Sequence, residues 1–363
     1  MKKSFIGNKG EWSELYVLAK LLTEGKLFIA DEKLLKKESV FYVVEEVHVA
    51  QESNENQAYK IDKSDEVIIF DPQSGKEEKI HRSVIKNKIS EFLNEIVLGV
   101  KGKRAFFLQT GNEIGTILKA KSLSMVSKHK YDLIIRSYDP RVRSVTQSNY
   151  SIKSKLGSAS TLFNASQATN LIYLVEGLSE HSAELANQEN SCRKRISKIY
   201  ESGGKLKFLS TQNKIFKENL IRVDGYFNQL LAAALIIFYK TENRTLMDVV
   251  NGISNLDISD FQPENITFYV KHNFKKFLFY SALGMVAKSL WTGLISATGG
   301  VIVVKKDGEI VGYTPYNINQ FQNYLFANTK FDSPDSGRNK YGKIYKEGNE
   351  YKINLNFQIR FID

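Results

Sequence analysis

Apolar residues recur at helical spacing over 10–23, at Trp12, Leu15, Val17, Leu18, Leu21 and Leu22, which predicts an amphipathic helix. Glu11 and Glu14 fall in its first turn, where carboxylates suit the helix dipole. The same spacing predicts helices over 85–97, 179–200 and 317–326, and denser apolar runs predict buried helices over 227–240 and 274–291. Period-two or continuous apolar runs predict strands over 41–50, 66–70, 131–138, 150–156, 169–175, 205–209 and 351–361. A hairpin is predicted over 301–313 around Asp307-Gly308, a turn over 72–76, and a strand break at Asp139-Pro140. No internal repeat is visible. The mixture predicts an α/β fold with a mixed sheet flanked by helices, followed by a C-terminal α+β region. A boundary near 210 divides 1–210 from 211–363 without a flexible linker.

Composition narrows the class. The 363 residues are 42% hydrophobic and 25% charged, an ordinary globular mix. Five Pro and 23 Gly leave no long low-complexity linker, and one Cys excludes a disulfide framework. Five scattered His in no HxxxH spacing argue against a zinc site. The two lysines near the N-terminus have no apolar stretch behind them, and the longest apolar run, 230–239, is too short to span a bilayer. A cytoplasmic protein without a membrane is expected. The net charge of +11 favours a polyanionic partner, nucleic acid before membrane. Most of that excess lies between Lys119 and Lys155, where nine basic residues (119, 121, 128, 130, 136, 141, 143, 153 and 155) face two acids. Such a stretch suits a phosphate-tracking surface, and equally a solvated loop.

Two residues carry candidate chemistry. Asp132 opens one predicted strand and Lys153 lies inside the next, joined by the basic hairpin. A carboxylate holds a hard divalent cation, and a lysine orients water or stabilises charge on phosphate oxygens. The same pair also fits a capping Asp132 and an edge-strand Lys153. The arrangement resembles the PD-(D/E)XK nucleases, in which an acid is followed by an acid-x-lysine triplet. Here the triplet is Ser151-Ile152-Lys153, with serine in place of the second acid. The resemblance implies that a helical carboxylate replaces it. Glu14 is the first candidate, Glu11 the second, and Glu91 and Glu95 follow.

Three further segments extend the likeness: GNKGEWSELY at 7–16, SIKSKLGSASTLFNAS at 151–166 and GKIYKEGNEYKINLNFQIRF at 342–361. Together they resemble the HpaII-type restriction endonucleases. The resemblance implies a type II enzyme that cuts duplex DNA at a short palindromic site of the CCGG kind, with Mg²⁺ as cofactor. It assigns catalysis to Asp132, Lys153, Glu14 and Ser151, and metal binding to Asp132, Glu14 and Glu11. A palindrome suggests a homodimer, and host survival a cognate DNA methyltransferase.

Candidate DNA contacts follow. Lys155, Ser158, Ser160 and Asn164 come after the catalytic strand, where small polar residues donate to phosphates or bases, or simply cap a turn. Arg141 and Arg143 lie in the basic hairpin. Arg338, Lys340 and Tyr341 suit phosphate contact or groove insertion. In the last strand Asn354, Asn356, Gln358 and Arg360 alternate with apolar residues, and amides and Arg are the side chains that read adenine and guanine edges. A partly buried amide ladder is the alternative. Cys192, flanked by Arg193, Lys194 and Arg195, is expected at the surface with a lowered pKa. Lys9 is expected at a phosphate or in solvent, and Trp12 and Trp291 in the core. The competing functional readings are a catalytically inactive sequence-specific DNA-binding protein and a structure-specific nuclease.

Overall fold

In the computed structural model the described residues are 4–49, 57–71, 74–100, 102, 104–123, 131–253 and 265–362. Ala50, Pro72, Gln73, Lys128, His129 and Lys130 lie outside them.

The chain opens with α1 (Lys9–Glu24), which starts because Asn8 and Glu11 form a capping box and stops at Gly25, whose φ of 65° is left-handed. Then come β1 (Lys26–Ala30), β2 (Lys36–Val49), β3 (Gln57–Ile61), β4 (Glu66–Asp71) and β5 (Lys76–His81). The helix read over 85–97 is α2 (Arg82–Lys86) and α3 (Ile89–Leu98), broken at Asn87-Lys88. After α4 (Gln109–Ile117), the basic hairpin is β6 (Leu133–Asp139) and β7 (Ser144–Ser154), followed by β8 (Thr161–Phe163) and β9 (Leu171–Glu176). The helix read over 179–200 is α5 (Glu180–Gln188) and α6 (Cys192–Glu201), because Ser191 caps a fresh start. Next are β10 (Lys205–Thr211), α7 (Lys214–Val223), α8 (Phe227–Lys240) and α9 (Leu246–Ile253).

The helix read over 274–291 is α10 (Ile266–Ala282), which begins eight residues earlier on the Asn265 cap and ends before Gly284, at φ 129°. Residues 283–299 that follow form no helix or strand. The predicted hairpin is β11 (Gly300–Val304) and β12 (Ile310–Tyr313), and α11 (Ile318–Ala327) follows. The chain ends with β13 (Thr329–Asp332), α12 (Ser336–Asn339), β14 (Ile344–Glu347), β15 (Glu350–Leu355) and β16 (Gln358–Phe361). The single last strand expected over 351–361 is therefore two strands, and they belong to different sheets.

The largest sheet has nine strands in the order β1-β12-β11-β7-β6-β2-β3-β4-β5, and an extra β1–β2 pairing closes six of them into a ring. The β1–β12 and β11–β7 pairs are parallel and the others antiparallel, so the sheet is mixed, as expected. A four-stranded sheet runs β10-β9-β15-β14, and a three-stranded one β13-β16-β8. Both larger sheets draw strands from either side of residue 210.

Two apolar cores result. One packs α1, α3 and α4 on the large sheet, with Trp12, Phe92 and Ile114 fully buried. The other joins α6–α11 to the smaller sheets around Phe163, Phe216, Phe277 and Phe357. Strand β11 is buried along its whole length, which explains its unbroken GVIVV. Its Val301 and Val303 belong to the second core, and Ile302 and Val304 to the first. Gly300 is obligatory there: at φ 100°, a Cβ would lie 1.9 Å from the Tyr313 carbonyl oxygen. Trp12 is a core residue as expected. Trp291 is half-buried, its ring 4.5 Å from that of Tyr280 and tilted against it by 41°.

Candidate active site

Strand β7 runs past the start of β6. Their pairing ends at Leu133↔Tyr150, while β7 continues beside β11 with Ser151↔Val301 and Lys153↔Val303 in register. Beyond Tyr150 the β6 side of β7 is thus an open edge, and its next inward N–H needs an acceptor. Asp132 supplies one: its backbone N–H donates to the Tyr150 carbonyl at 2.8 Å, and its Oδ2 accepts from Ile152 N–H at 2.6 Å. This fixes the carboxylate beside the Ser151-Ile152-Lys153 triplet.

Register sets the faces. Residues paired across two strands point the same way, so Ser151 and Lys153 share the face of Val301 and Val303. Ile152 turns into the α1 core, and Ser154 meets α1 directly, its hydroxyl 2.8 Å from that of Ser13. The face carrying Ser151 and Lys153 borders a cavity of about 550 Å³. Asp132, Ser151, Lys153 and Glu14 all line it, together with Thr161–Ser166 of the segment around β8, Ser281 and Ala282 at the end of α10, and Gly284–Lys288 beyond it. Lys153 is half-buried and makes no ion pair with the described residues. The charged and hard-oxygen groups in the wall (two carboxylates, the ammonium groups of Lys153 and Lys288, and serine and threonine hydroxyls) could hold a hard cation and a phosphate. Among the described residues neither Cys nor His lines it. Among the described residues, no group of three or more His, Cys, Asp or Glu is arranged around a metal position.

The other acidic candidates are elsewhere. Glu11 does not line the cavity; its Oε2 accepts from the Asn8 N–H at 2.7 Å, while the Asn8 side chain accepts from Gly10 and Glu11 N–H. Its carboxylate completes the capping box of α1. Glu95 caps α4, accepting from Thr110 and Gly111 N–H, and Glu91 is exposed. Lys9 is buried, not solvated, and donates to the Val97 carbonyl at the end of α3.

The candidate DNA contacts separate into groups. Ser158 and Asn164 are exposed, and Asn164 lines the cavity. Ser160 donates to the Ser154 carbonyl. Lys155 is half-buried beside them, its N–H on the Val304 carbonyl. Arg143 and Arg338 are exposed, and so is Lys340, held left-handed at φ 51°. Arg141 is clamped: it donates twice to Asp139, at 2.9 and 2.6 Å, and once to the Tyr42 hydroxyl. That pairing holds the Asp139 carboxyl below its ordinary range.

Three expected base readers have partners within the protein. Asn356 is fully buried, donating to Ser166 and Asn170 and accepting from Thr169. Gln358 donates to Asp332, and Arg360 donates to the Ala159 carbonyl through Nε and Nη2. Asn354 accepts from the Tyr345 hydroxyl. Tyr341 is buried with its hydroxyl on the Pro334 carbonyl. Within the basic stretch, Lys119, Lys121 and Arg136 pair with Glu78, Asp71 and Glu45 from other strands. Cys192 is buried, contrary to expectation, and burial pushes its thiol up to about 12 against the opposing pull of Arg195 and Arg193.

Sequence reasoning missed two buried polar residues with structural consequences here. Asn219 of α7 fixes the cavity wall, donating to the Val286 and Ser289 carbonyls and accepting from Trp291 N–H, each at 2.8–2.9 Å. Arg195 of α6 donates to the Gly342 carbonyl. Both were detectable, because each fills a core slot of an i, i+3, i+4, i+7 pattern: Phe216, Asn219, Leu220, Val223 and Cys192, Arg195, Ile196, Ile199.

No solved structure matches the chain. The curated type II restriction enzyme HpaII of Haemophilus parainfluenzae is 34% identical over 362 residues, covering 100% of both chains. The sequence profile described as HpaII restriction endonuclease matches residues 8–361. With nearly its whole length matched, the chain belongs to the HpaII restriction endonuclease family and is a type II site-specific deoxyribonuclease.

Proposed function

We propose that this enzyme hydrolyses duplex DNA with Mg²⁺ at a short palindromic site of the CCGG kind, using a PD-(D/E)XK-type centre at Asp132, Glu14 and Lys153. The observation that carries this reading is the convergence of these three residues, from the residue before β6, from α1 and from β7, on one cavity. The donor set fits the metal: Mg²⁺ is held through one or two carboxylates and keeps several waters, as a wall with two carboxylates and no Cys or His allows. Asp132 and Glu14 would hold it, with the Ser151 hydroxyl beside them. When bound, Mg²⁺ supplies Lewis-acid neutralisation of the scissile phosphate. Lys153 orients the attacking water and stabilises charge developing on the phosphate oxygens. A phosphorus–oxygen bond forms to water as the bond to the leaving sugar oxygen breaks, the water giving up a proton to solvent and the leaving oxygen taking one from it. Lys155, Ser158, Ser160, Asn164, Arg143, Arg338 and Lys340 are the proposed DNA contacts. A homodimer matches a palindrome's symmetry, and a cognate methyltransferase would protect the host's own sites in the cytoplasm. Among the described residues no single helix is long and apolar enough to cross a membrane.

The test is digestion of long duplex DNA with Mg²⁺, followed by sequencing of the fragment ends. Ends sharing one short palindrome are expected, and Lys153→Ala should retain binding while cleavage falls roughly 10²–10³-fold. Cleavage that survives Lys153→Ala unchanged would remove Lys153 from the mechanism. Ends sharing no sequence would refute the palindromic site.

A further inference from the structure

A second cavity, of about 370 Å³, opens between α6 and the loop that follows α12. Among the described residues its charged lining residues are Arg195, Lys340 and Lys343, and no carboxylate lines it. Among the described residues Lys340 and Lys343 make no ion pair. Arg195 is nine-tenths buried, and among the described residues its Nε–H has no hydrogen-bond partner. A buried donor without an acceptor is rare in proteins and calls for an explanation.

The loop backbone reinforces the sign. The carbonyls of residues 338, 339, 340 and 342 all accept from side chains of the protein body. Gln167 takes the first, Asn170 the next two, and Arg195 the last, at 3.0–3.4 Å. Negative dipole ends are thus turned inward and matched, while Lys340 and Lys343 stay exposed. A concave site with cations outermost, carbonyls satisfied and a buried guanidinium donor to spare is shaped for an anion. The loop is also tied to the catalytic cavity: Gln167 follows Ser166, which lines that cavity.

We infer that this pocket takes a backbone phosphate of the DNA, with Arg195 as its buried anchor and Lys340 and Lys343 at its mouth. The inference rests on the reading that the duplex crosses the Asp132–Lys153 cavity. A phosphate contact carries no sequence information, so its loss weakens binding to every duplex and lowers the salt dependence.

The test measures binding of the full chain, by fluorescence anisotropy across a KCl series, to a duplex containing the cleavage site and to an unrelated duplex. For Lys340→Ala/Lys343→Ala, both duplexes should bind more weakly, and the slope of log K against log [salt] should drop by about one unit. Arg195→Met should do the same, and Arg195→Lys should restore part of the slope. Melting curves identify a variant that fails to fold, in which case the exposed lysine pair decides alone. An unchanged slope overturns the inference, and so does a loss confined to the cleavable duplex, which would make the pocket a base reader. Wild-type enzyme that cleaves through Lys153 while the pocket variants bind normally sinks only the pocket. Wild-type enzyme that binds neither duplex sinks both proposals.

Discussion

Glu11 and Glu14 sit three residues apart on one helix and do different work. Glu11 closes the capping box with Asn8, whereas Glu14 faces the cavity that holds Asp132 and Lys153. Glu11→Gln is expected to leave cleavage intact and, like the loss of a cap, to lower stability by about 1 kcal/mol at most. Glu14→Gln is expected to raise the divalent-metal concentration needed for cleavage. A metal titration of both variants, paired with thermal melts, checks the assignment. If Glu11→Gln shifted the metal requirement and Glu14→Gln did not, the helical acid would have been chosen wrongly. The Asn8-x-x-Glu11 spacing is itself a capping-box signature, a signal in the sequence for Glu11 that the metal reading passed over.

Cys192 teaches the opposite lesson. Three basic neighbours in sequence suggest a reactive thiolate, yet the side chain is enclosed and burial outweighs their attraction. The thiol is expected to resist disulfide reagents in the native enzyme and to react at once after denaturant unfolding, as a colorimetric thiol assay would register. Because the folded pKa is raised from 9.0 to about 12, the neutral thiol stabilises the fold fully below pH 9. That contribution is lost as pH rises from 9 towards 12, and Cys192→Ala should lose less stability than wild type over that window. Rapid native labelling would contradict the burial.

At the level of elements, the wall formed by residues 283–299 has no ladder or helix to hold it, so Asn219 does. Its amide satisfies two carbonyls and one N–H of that wall. Asn219→Ala removes all three bonds from a buried place, at about 1 kcal/mol or more for each group left unpaired. A stability loss of about 3 kcal/mol is expected, with cleavage impaired even at temperatures where the variant stays folded. Denaturant titration and single-turnover cleavage would test this, and a loss of stability with the cleavage rate untouched would detach the wall from catalysis. Strongly periodic elements were readable: α8 falls on the predicted 227–240, and β11–β12 on the hairpin. The last strand was misread for a physical reason. Leu355, Phe357 and Ile359 keep the apolar alternation going through the point where the chain changes sheets. Only the burial of Asn356, which bonds Ser166, Thr169 and Asn170, marks the switch, and that depends on partners nearly 190 residues away.

Across the whole molecule, distant segments complete each other's sheets, and a linear count of charge or domains does not see this. The basic stretch looks like a continuous phosphate track, but Lys119, Lys121 and Arg136 are matched by acids from β5, β4 and β2. The same folding-back decides whether residue 210 can be a point of separation. Cutting there takes β11 from β7 and β12 from β1, opening the strand that bears Ser151 and Lys153 along its buried side. It also strips Ile302, Val304 and Ile310 from the α1 core, and parts β15 from β9. Each piece would expose strand edges and apolar surface that the intact chain covers, the features that drive aggregation. Residues 1–210 and 211–363 expressed separately are therefore expected to be insoluble or to unfold without cooperativity, although the first holds every proposed catalytic residue. Circular dichroism, thermal melts and limited proteolysis of the two pieces would test this. A soluble 1–210 with a sharp melt would mean that β7 keeps its shape without β11. The buried face on which Lys153 stands would then belong to the N-terminal half alone.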